Sequence, residues 1–308
     1  MLESFLIVIE KVCVLFLLLL IGYFCGKKQA LNDEAVKCLN SIILNLVIPC
    51  TVISGFQSDK ASGLVGELLL CCGYSVVVIA VFFLLAFLFT RKLPEKERPI
   101  YALSCSLTNC SFMGYPLETA MIGPLGIFYG SGFVAVMNCY TFTLGYLFFT
   151  HDRKSISLKQ VITRPAILSV LASLGLLIAK IRLPSVILTT VDYLASICVP
   201  IPMLIIGYHL SKVDLLKAVR NKRHCLYSAI RLLLLPLIAL GVLLLLGAKG
   251  DVLMAAMIAS SCPVATVVTI LAGQLSNQES MAAELNALQT LCSMLTIPLL
   301  VTLTAIVA

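Results

Sequence analysis

Apolar residues fill the chain in ten long blocks, at 4–26, 36–56, 65–90, 99–121, 125–150, 161–180, 185–210, 224–247, 252–274 and 281–306. Each block is about as long as a helix that crosses the roughly 30 Å hydrocarbon core of a bilayer. All ten are expected to be helices, because a lone strand in lipid leaves its backbone groups unsatisfied. The connections are short. The most polar, HDRKSISLKQVITR at 151–164, falls at the midpoint of the chain. The first block lacks a basic n-region and a small-x-small cleavage site, so it reads as a first span and not as a signal peptide.

Composition agrees with this pattern. The 308 residues are 60% hydrophobic and 12% charged, with a mean hydropathy of +1.05. A soluble domain carries about 25% charged residues, so lipid is the expected solvent for most of these side chains. The 13 cysteines lie mostly inside apolar blocks, without CxxC or Cys/His ligand spacing, and read as small packing residues.

The net charge of +7 comes from short clusters between blocks, not from a basic face of the kind that binds nucleic acid. With the N-terminus outside, the inner connections hold Lys27, Lys28, Lys37, Arg91, Lys92, Lys96, Arg98, Arg153, Lys154, Lys159, Arg164, Lys212, Lys217, Arg220, Lys222 and Arg223, which is 16 of the 22 Lys and Arg. The outer connections hold only Lys60, Lys180, Arg182 and Lys249. The bias predicts both termini outside an inner (plasma) membrane.

Prolines interrupt blocks in matched pairs. Pro49 and Pro200 are 200 − 49 = 151 residues apart, and Pro116 and Pro263 are 263 − 116 = 147 apart. Two pairs at nearly one offset predict a duplication of five helices, residues 1–150 and 151–308. An odd number of spans per half makes the halves inverted, as in many transporters. A proline removes a donor and clashes with the preceding turn. The carbonyls it frees need partners in protein or at a water-filled cavity.

Block four is the most heavily interrupted. Thr108-Asn109-Cys110-Ser111-Phe112-Met113-Gly114-Tyr115-Pro116 places polar groups, a glycine and a proline in mid-span. Asn109 and Ser111 supply hydrogen bonds, and Gly114 allows close approach to a ligand. Block nine, SSCPVAT, has a plainer break at Pro263-Val264. Two opposed half-helix starts offer free amides and positive dipole ends to an anion, a carboxylate in particular. Asn138 in block five reads equally as a helix-to-helix hydrogen bond or as a site amide.

Ionisable residues inside blocks are few. Glu10 and Lys11 are adjacent and are not expected to face each other. Glu67, Glu118, Asp192, Arg231 and Glu284 read as span-end residues with access to water, with Glu67 and Glu118 also candidates for coupling to a proton or cation. His151, His209 and His224 are expected in solvated positions near the inner surface. The chain has no phosphate loop, dinucleotide glycine pattern, HExxH or GxSxG. Neither an enzyme nor a cofactor or metal is expected. Gly22 and Gly26 form a GxxxG, a pattern of close packing or dimerisation.

Asn109 to Pro116, NCSFMGYP, resembles the N-x-x-x-x-G-x-P crossover motif of the auxin efflux carrier family, which includes malate and malonate permeases and plant PIN auxin exporters. The resemblance runs on through NLVIPCTVISGF in block two, Gly123 to Gly130 and Asn138 in block five, Pro200 to Gly207 in block seven, Pro263, and Thr296-Ile297-Pro298. It implies an all-α fold of ten transmembrane helices in two inverted repeats, like that of bile-acid symporters and sodium/proton antiporters. Helices 4 and 9 would cross at their prolines with substrate at the crossing. Helices 1, 2, 6 and 7 would form a scaffold, helices 3–5 and 8–10 a moving transport domain, and the scaffold a homodimer. The chain lacks the long central loop of many plant members. Ser261-Cys262 stands before Pro263 where a Gly-rich approach is expected.

The function read from these features is secondary transport of a small organic anion by elevator-type alternating access, with substrate at Asn109, Ser111, Gly114, Pro116, Asn138, Pro263 and Val264. The alternatives are a sodium-coupled bile-acid-type symporter, an unrelated five-helix-repeat carrier, or a membrane sensor without flux.

Overall fold

The computed structural model describes residues 2–58, 61, 63–150, 163 and 165–307. Lys60, His151, Arg153, Lys154, Lys159 and Arg164 lie outside them. The described chain is helical, and its one β-type pairing is an isolated bridge. In order the helices are α1 (Leu2–Lys27), α2 (Asp33–Gln57), α3 (Val65–Thr90), α4 (Arg98–Ser106), α5 (Tyr115–Ile122), α6 (Leu125–Phe149), α7 (Pro165–Ile178), α8 (Ser185–Ser196), α9 (Pro200–Ser211), α10 (Leu215–Arg220), α11 (Lys222–Leu245), α12 (Gly250–Ser261), α13 (Val267–Ser276) and α14 (Glu279–Val307).

Seven helical stretches among the described residues are long and apolar enough to cross a membrane: 9–27, α2, α3, α6, α8 with α9, α11 and α14. Blocks four and nine are missing from that set because each is divided, into α4 and α5 and into α12 and α13. Block six supplies the shorter α7.

Among the described residues four π turns interrupt the helices, at Ile43–Val47, Cys110–Gly114, Thr141–Gly145 and Ile230–Leu234. Three of them end two residues before a proline, Pro49, Pro116 or Pro236. A proline cannot bond back to the carbonyl four residues earlier and pushes it aside. One extra residue in the turn relieves that clash, and such bulges often mark functional sites.

Helix α1 packs along α9 at very short range, and α2 packs on α7 and α8. A Cβ on Gly22 would lie 2.2 Å from the Leu204 carbonyl oxygen. One on Gly207 would lie 1.9 Å from that of Leu19. Gly26 meets the Ser211 Oγ in the same way, at 2.2 Å. The GxxxG of α1 is therefore spent on packing within the chain, against Gly207 and its neighbours. Helices α3 to α6 pack with α11 to α14. A single Gly123 with φ of 77° turns α5 into α6, a backbone conformation that L side chains resist.

Ion pairs between elements gather at the end of the bundle where the basic clusters were expected. Lys212 pairs with Asp33 at 2.5 Å, Arg223 with Glu97 at 2.6 Å, and Lys217 with Glu284 at 2.7 Å. The Glu284 carboxylate holds the Lys217 ammonium above its ordinary range. Glu284 is itself buried, so its reading as a water-exposed span-end acid is corrected: it lies under the α10 turn. His224 is also buried, with the Tyr101 ring 5.8 Å from its own and no partner on either ring nitrogen, so it is not solvated. Glu10 and Lys11 do meet, at 3.9 Å, because their long side chains lean together at the surface.

Candidate functional site

The two broken helices cross in extended chain. After α4 the backbone leaves the helix at Leu107 and runs through Thr108 to Asn109. After α12 it runs through Cys262 to Ala265. Thr108 and Val264 face each other in an antiparallel bridge. The Asn109 amide donates to the Pro263 carbonyl at 2.8 Å, and the Ala265 amide to the Leu107 carbonyl at 3.1 Å.

The groups released by Pro263 can be followed one by one. Its missing N–H leaves the Ala259 carbonyl without a helical donor, and the Thr108 hydroxyl takes that carbonyl at 2.5 Å. The Val264 amide donates to Gln289 Oε1 at 3.0 Å. The Cys262 carbonyl accepts from Arg231 Nη2 at 2.6 Å. A buried backbone group without a partner costs free energy comparable to a lost hydrogen bond, so these three side chains hold the break open.

The half-helix starts beyond the crossing are differently supplied. Among the described residues no backbone acceptor takes the amides of Cys110, Ser111 and Phe112, or those of Thr266 and Val267. They are the orphan donors of two helix N-termini. The Asn109 side-chain amide beside them has no hydrogen-bond partner among the described residues, and the residue is 6% exposed. Ser111 is half-buried, while Gly114, Pro116, Pro263 and Val264 are buried. Asn138 stands apart in its bonding: its Nδ2 is spent on the Val134 carbonyl of its own helix at 2.9 Å.

Glu118 departs from the span-end reading. It is 0% exposed, and among the described residues neither carboxylate oxygen has a hydrogen-bond partner. Pro116 starts α5 two residues earlier, which turns Glu118 inward under α6. There Gly130 makes room: a Cβ on it would lie 1.8 Å from Glu118 Oε2. Arg231 departs in the same way, being 0% exposed in the π turn before Pro236, with its guanidinium carbon 5.2 Å from the centre of the Phe82 ring. Glu67 is half-buried and accepts a hydrogen bond from the Tyr129 hydroxyl. Asp192 is exposed and accepts from Ser54 at 2.6 Å.

Two residues of the crossing are thus absent from the sequence expectation, Arg231 as a site residue and Gln289 altogether. The signal for Arg231 was present, as one arginine inside an apolar block with a proline five residues on. Gln289 was legible only as one of the two side-chain amides of ELNALQTLCS, the other being Asn286. Gln289→Leu should strand the Val264 amide and destabilise the protein by about 1–3 kcal/mol. A thermal melt of the detergent-solubilised protein reads this, and an unchanged midpoint would show that the amide finds another acceptor.

A bundle of apolar helices, two of them broken where their extended segments pair and their first amides lack a backbone acceptor among the described residues, is the construction of a multi-pass membrane transporter. The family model described as membrane transport protein matches residues 7–160 and 149–301, and the chain belongs to that family, the auxin efflux carrier group. It is similar to an uncharacterised transporter of Methanothermobacter thermautotrophicus, with 24% identity over 94% of this chain and 96% of that one. It is also similar to an uncharacterised transporter of Methanocaldococcus jannaschii, with 30% identity over 66% of this chain and 68% of that one.

Proposed function

We propose that the protein is a secondary transporter for a small organic anion, a carboxylate such as malate, malonate or an auxin-like acid. One observation carries this reading: two half-helix starts with unclaimed amides meet at the bridged crossing, with the free amide of Asn109 beside them. Helix N-termini concentrate donors and positive dipole, which is what a carboxylate requires. Ser111, Gly114, Pro116, Pro263 and Val264 shape the same site, and Asn138 borders it.

In this reading the chain crosses the membrane ten times as two inverted halves, 1–150 and 151–308, with both termini outside the plasma (inner) membrane. The packing of α1, α2 and α7 to α9 supports a scaffold, and that of α3 to α6 with α11 to α14 supports a transport domain that slides past it. A homodimer through the scaffold follows from the same family pattern. Glu118, a carboxylate without a partner inside the transport domain, supports coupling to a proton or sodium ion. Glu67 is the second candidate for that role.

Uptake into proteoliposomes tests the proposal, with labelled dicarboxylates, monocarboxylates and indole acids under imposed pH and sodium gradients. Saturable uptake of at least one acid is expected, faster with one of the gradients. Verified folded protein that moves none of them rules out the anion reading.

A further inference from the structure

Arg231 and Glu118 are both fully buried, and both lack an ion-pair partner among the described residues. A guanidinium stays charged inside a protein. Among the described residues Arg231 bonds the Cys262 carbonyl and stacks near the Phe82 ring, and its Nε and Nη1 have no hydrogen-bond partner. A buried charge is retained only where something compensates it. The Cys262 carbonyl does so in part, because it ends α12 and carries the negative end of that helix dipole.

Both charged residues reach the crossing at Cys262. Cys262 touches Arg231 through its carbonyl. Its Sγ and Glu118 Oε1 each lie 3.8 Å from the point where a Cβ on Gly114 would stand. The titratable groups facing Glu118 are Cys71 of α3, Cys110 of the π turn, Tyr115 of its own helix and Cys262. Those facing Arg231 are Cys105 of α4, Cys110 and Cys262. All of these are thiols or a phenol, so Glu118 and Arg231 alone set the charge of the crossing.

We propose that Arg231 is the fixed positive charge that attracts the anion, and that protonation of Glu118 exposes it. With Glu118 ionised the pair is neutral overall and the anion gains little. With Glu118 protonated the crossing carries one positive charge, and binding an anion of charge −1 restores neutrality. One proton then accompanies one monovalent anion. The proposal rests on the anion-transport reading and adds to it the cation and the rule of coupling.

Purified transporter in lipid nanodiscs tests it in two independent ways. Infrared difference spectra should show a protonated-carboxyl band that titrates with pH and is missing in Glu118→Gln. In Arg231→Gln the midpoint of that titration should move up by about one pH unit, because the positive charge of the crossing is gone. Arg231→Lys should keep it near the wild-type position. A midpoint unmoved in Arg231→Gln overturns the link between the two charges, whatever the protein transports. Calorimetry with malonate and indole-3-acetate as probes gives the second readout. Wild type should bind a probe more tightly in acid than in alkali, and Glu118→Gln should bind it tightly at both. Arg231→Gln should bind it roughly 10- to 100-fold more weakly, as for loss of a charged hydrogen bond. Equal binding by Arg231→Gln and wild type overturns the role given to Arg231. Failure of wild type to bind either probe removes the anion reading itself, and the infrared titration still decides whether the charges are linked.

Discussion

Gly207→Val should leave almost no folded transporter. Even an alanine Cβ at that position would lie 1.9 Å from the Leu19 carbonyl oxygen and 2.7 Å from the Tyr23 amide nitrogen. Both obstacles are backbone, so no side chain can turn aside to make room. The opposite face repeats the problem, with Gly22 directed at the Leu204 backbone. Helices α1 and α9 would have to separate along much of their contact. Overpacking a well-filled interface costs about 1–3 kcal/mol, and a backbone collision belongs at or above the upper end. Melting followed by size-exclusion chromatography of a tagged protein reads the effect. Gly175→Ala is the control, since nothing lies within 4 Å of its would-be Cβ. It should melt like wild type or slightly higher, as alanine favours a helix over glycine. A Gly207→Val protein that melts with the control would show that α1 and α9 are not packed as described.

Asn109→Ala should produce the opposite phenotype, a folded protein whose transport is strongly impaired. The part Asn109 plays in the fold is carried by its backbone: the amide bonds the Pro263 carbonyl at 2.8 Å, and the carbonyl accepts from the Met113 amide at 3.1 Å. Alanine keeps both. Only the unpartnered side-chain amide is lost, and with it the donor offered to a carboxylate. A hydrogen bond to a charged group contributes about 1.5–3 kcal/mol, so affinity for the transported anion should fall roughly 10- to 100-fold. Uptake kinetics in proteoliposomes, alongside expression and melting equal to wild type, check this. Kinetics identical to wild type would remove Asn109 from the site.

Much of the architecture was legible before any coordinates. Among the described residues every apolar block is mostly helix, because in lipid a helix is the one way a single segment can satisfy its own backbone. The interruptions at Pro116 and Pro263 were legible for a related reason, since a proline's effect on the preceding turn is local chemistry. The pairing of those two breaks followed from their spacing and from the resemblance of NCSFMGYP to a known crossover.

Burial was not legible in the same way. In an apolar chain every block is hydrophobic on all sides, so no stripe marks which face meets protein and which meets lipid. Glu118 was read as a span-end acid from its distance along the block. The fold instead turns it under Gly130, because α5 starts afresh at the break. Arg231 was read alike, yet the π turn before Pro236 aims it at a carbonyl more than thirty positions further along the chain. The GxxxG of α1 left packing partner and dimerisation undecided, and only the approach of Gly207 resolved it.

The amino-acid order by itself determined a membrane-embedded helical protein with two interrupted helices, because hydropathy and proline act on their own neighbourhood. Tertiary structure decided which side chains serve those interruptions. Thr108, Arg231 and Gln289 come from three distant segments to the carbonyls and amide that one proline sets loose. Contacts between distant segments depend on how helices pack, and no local pattern encodes that.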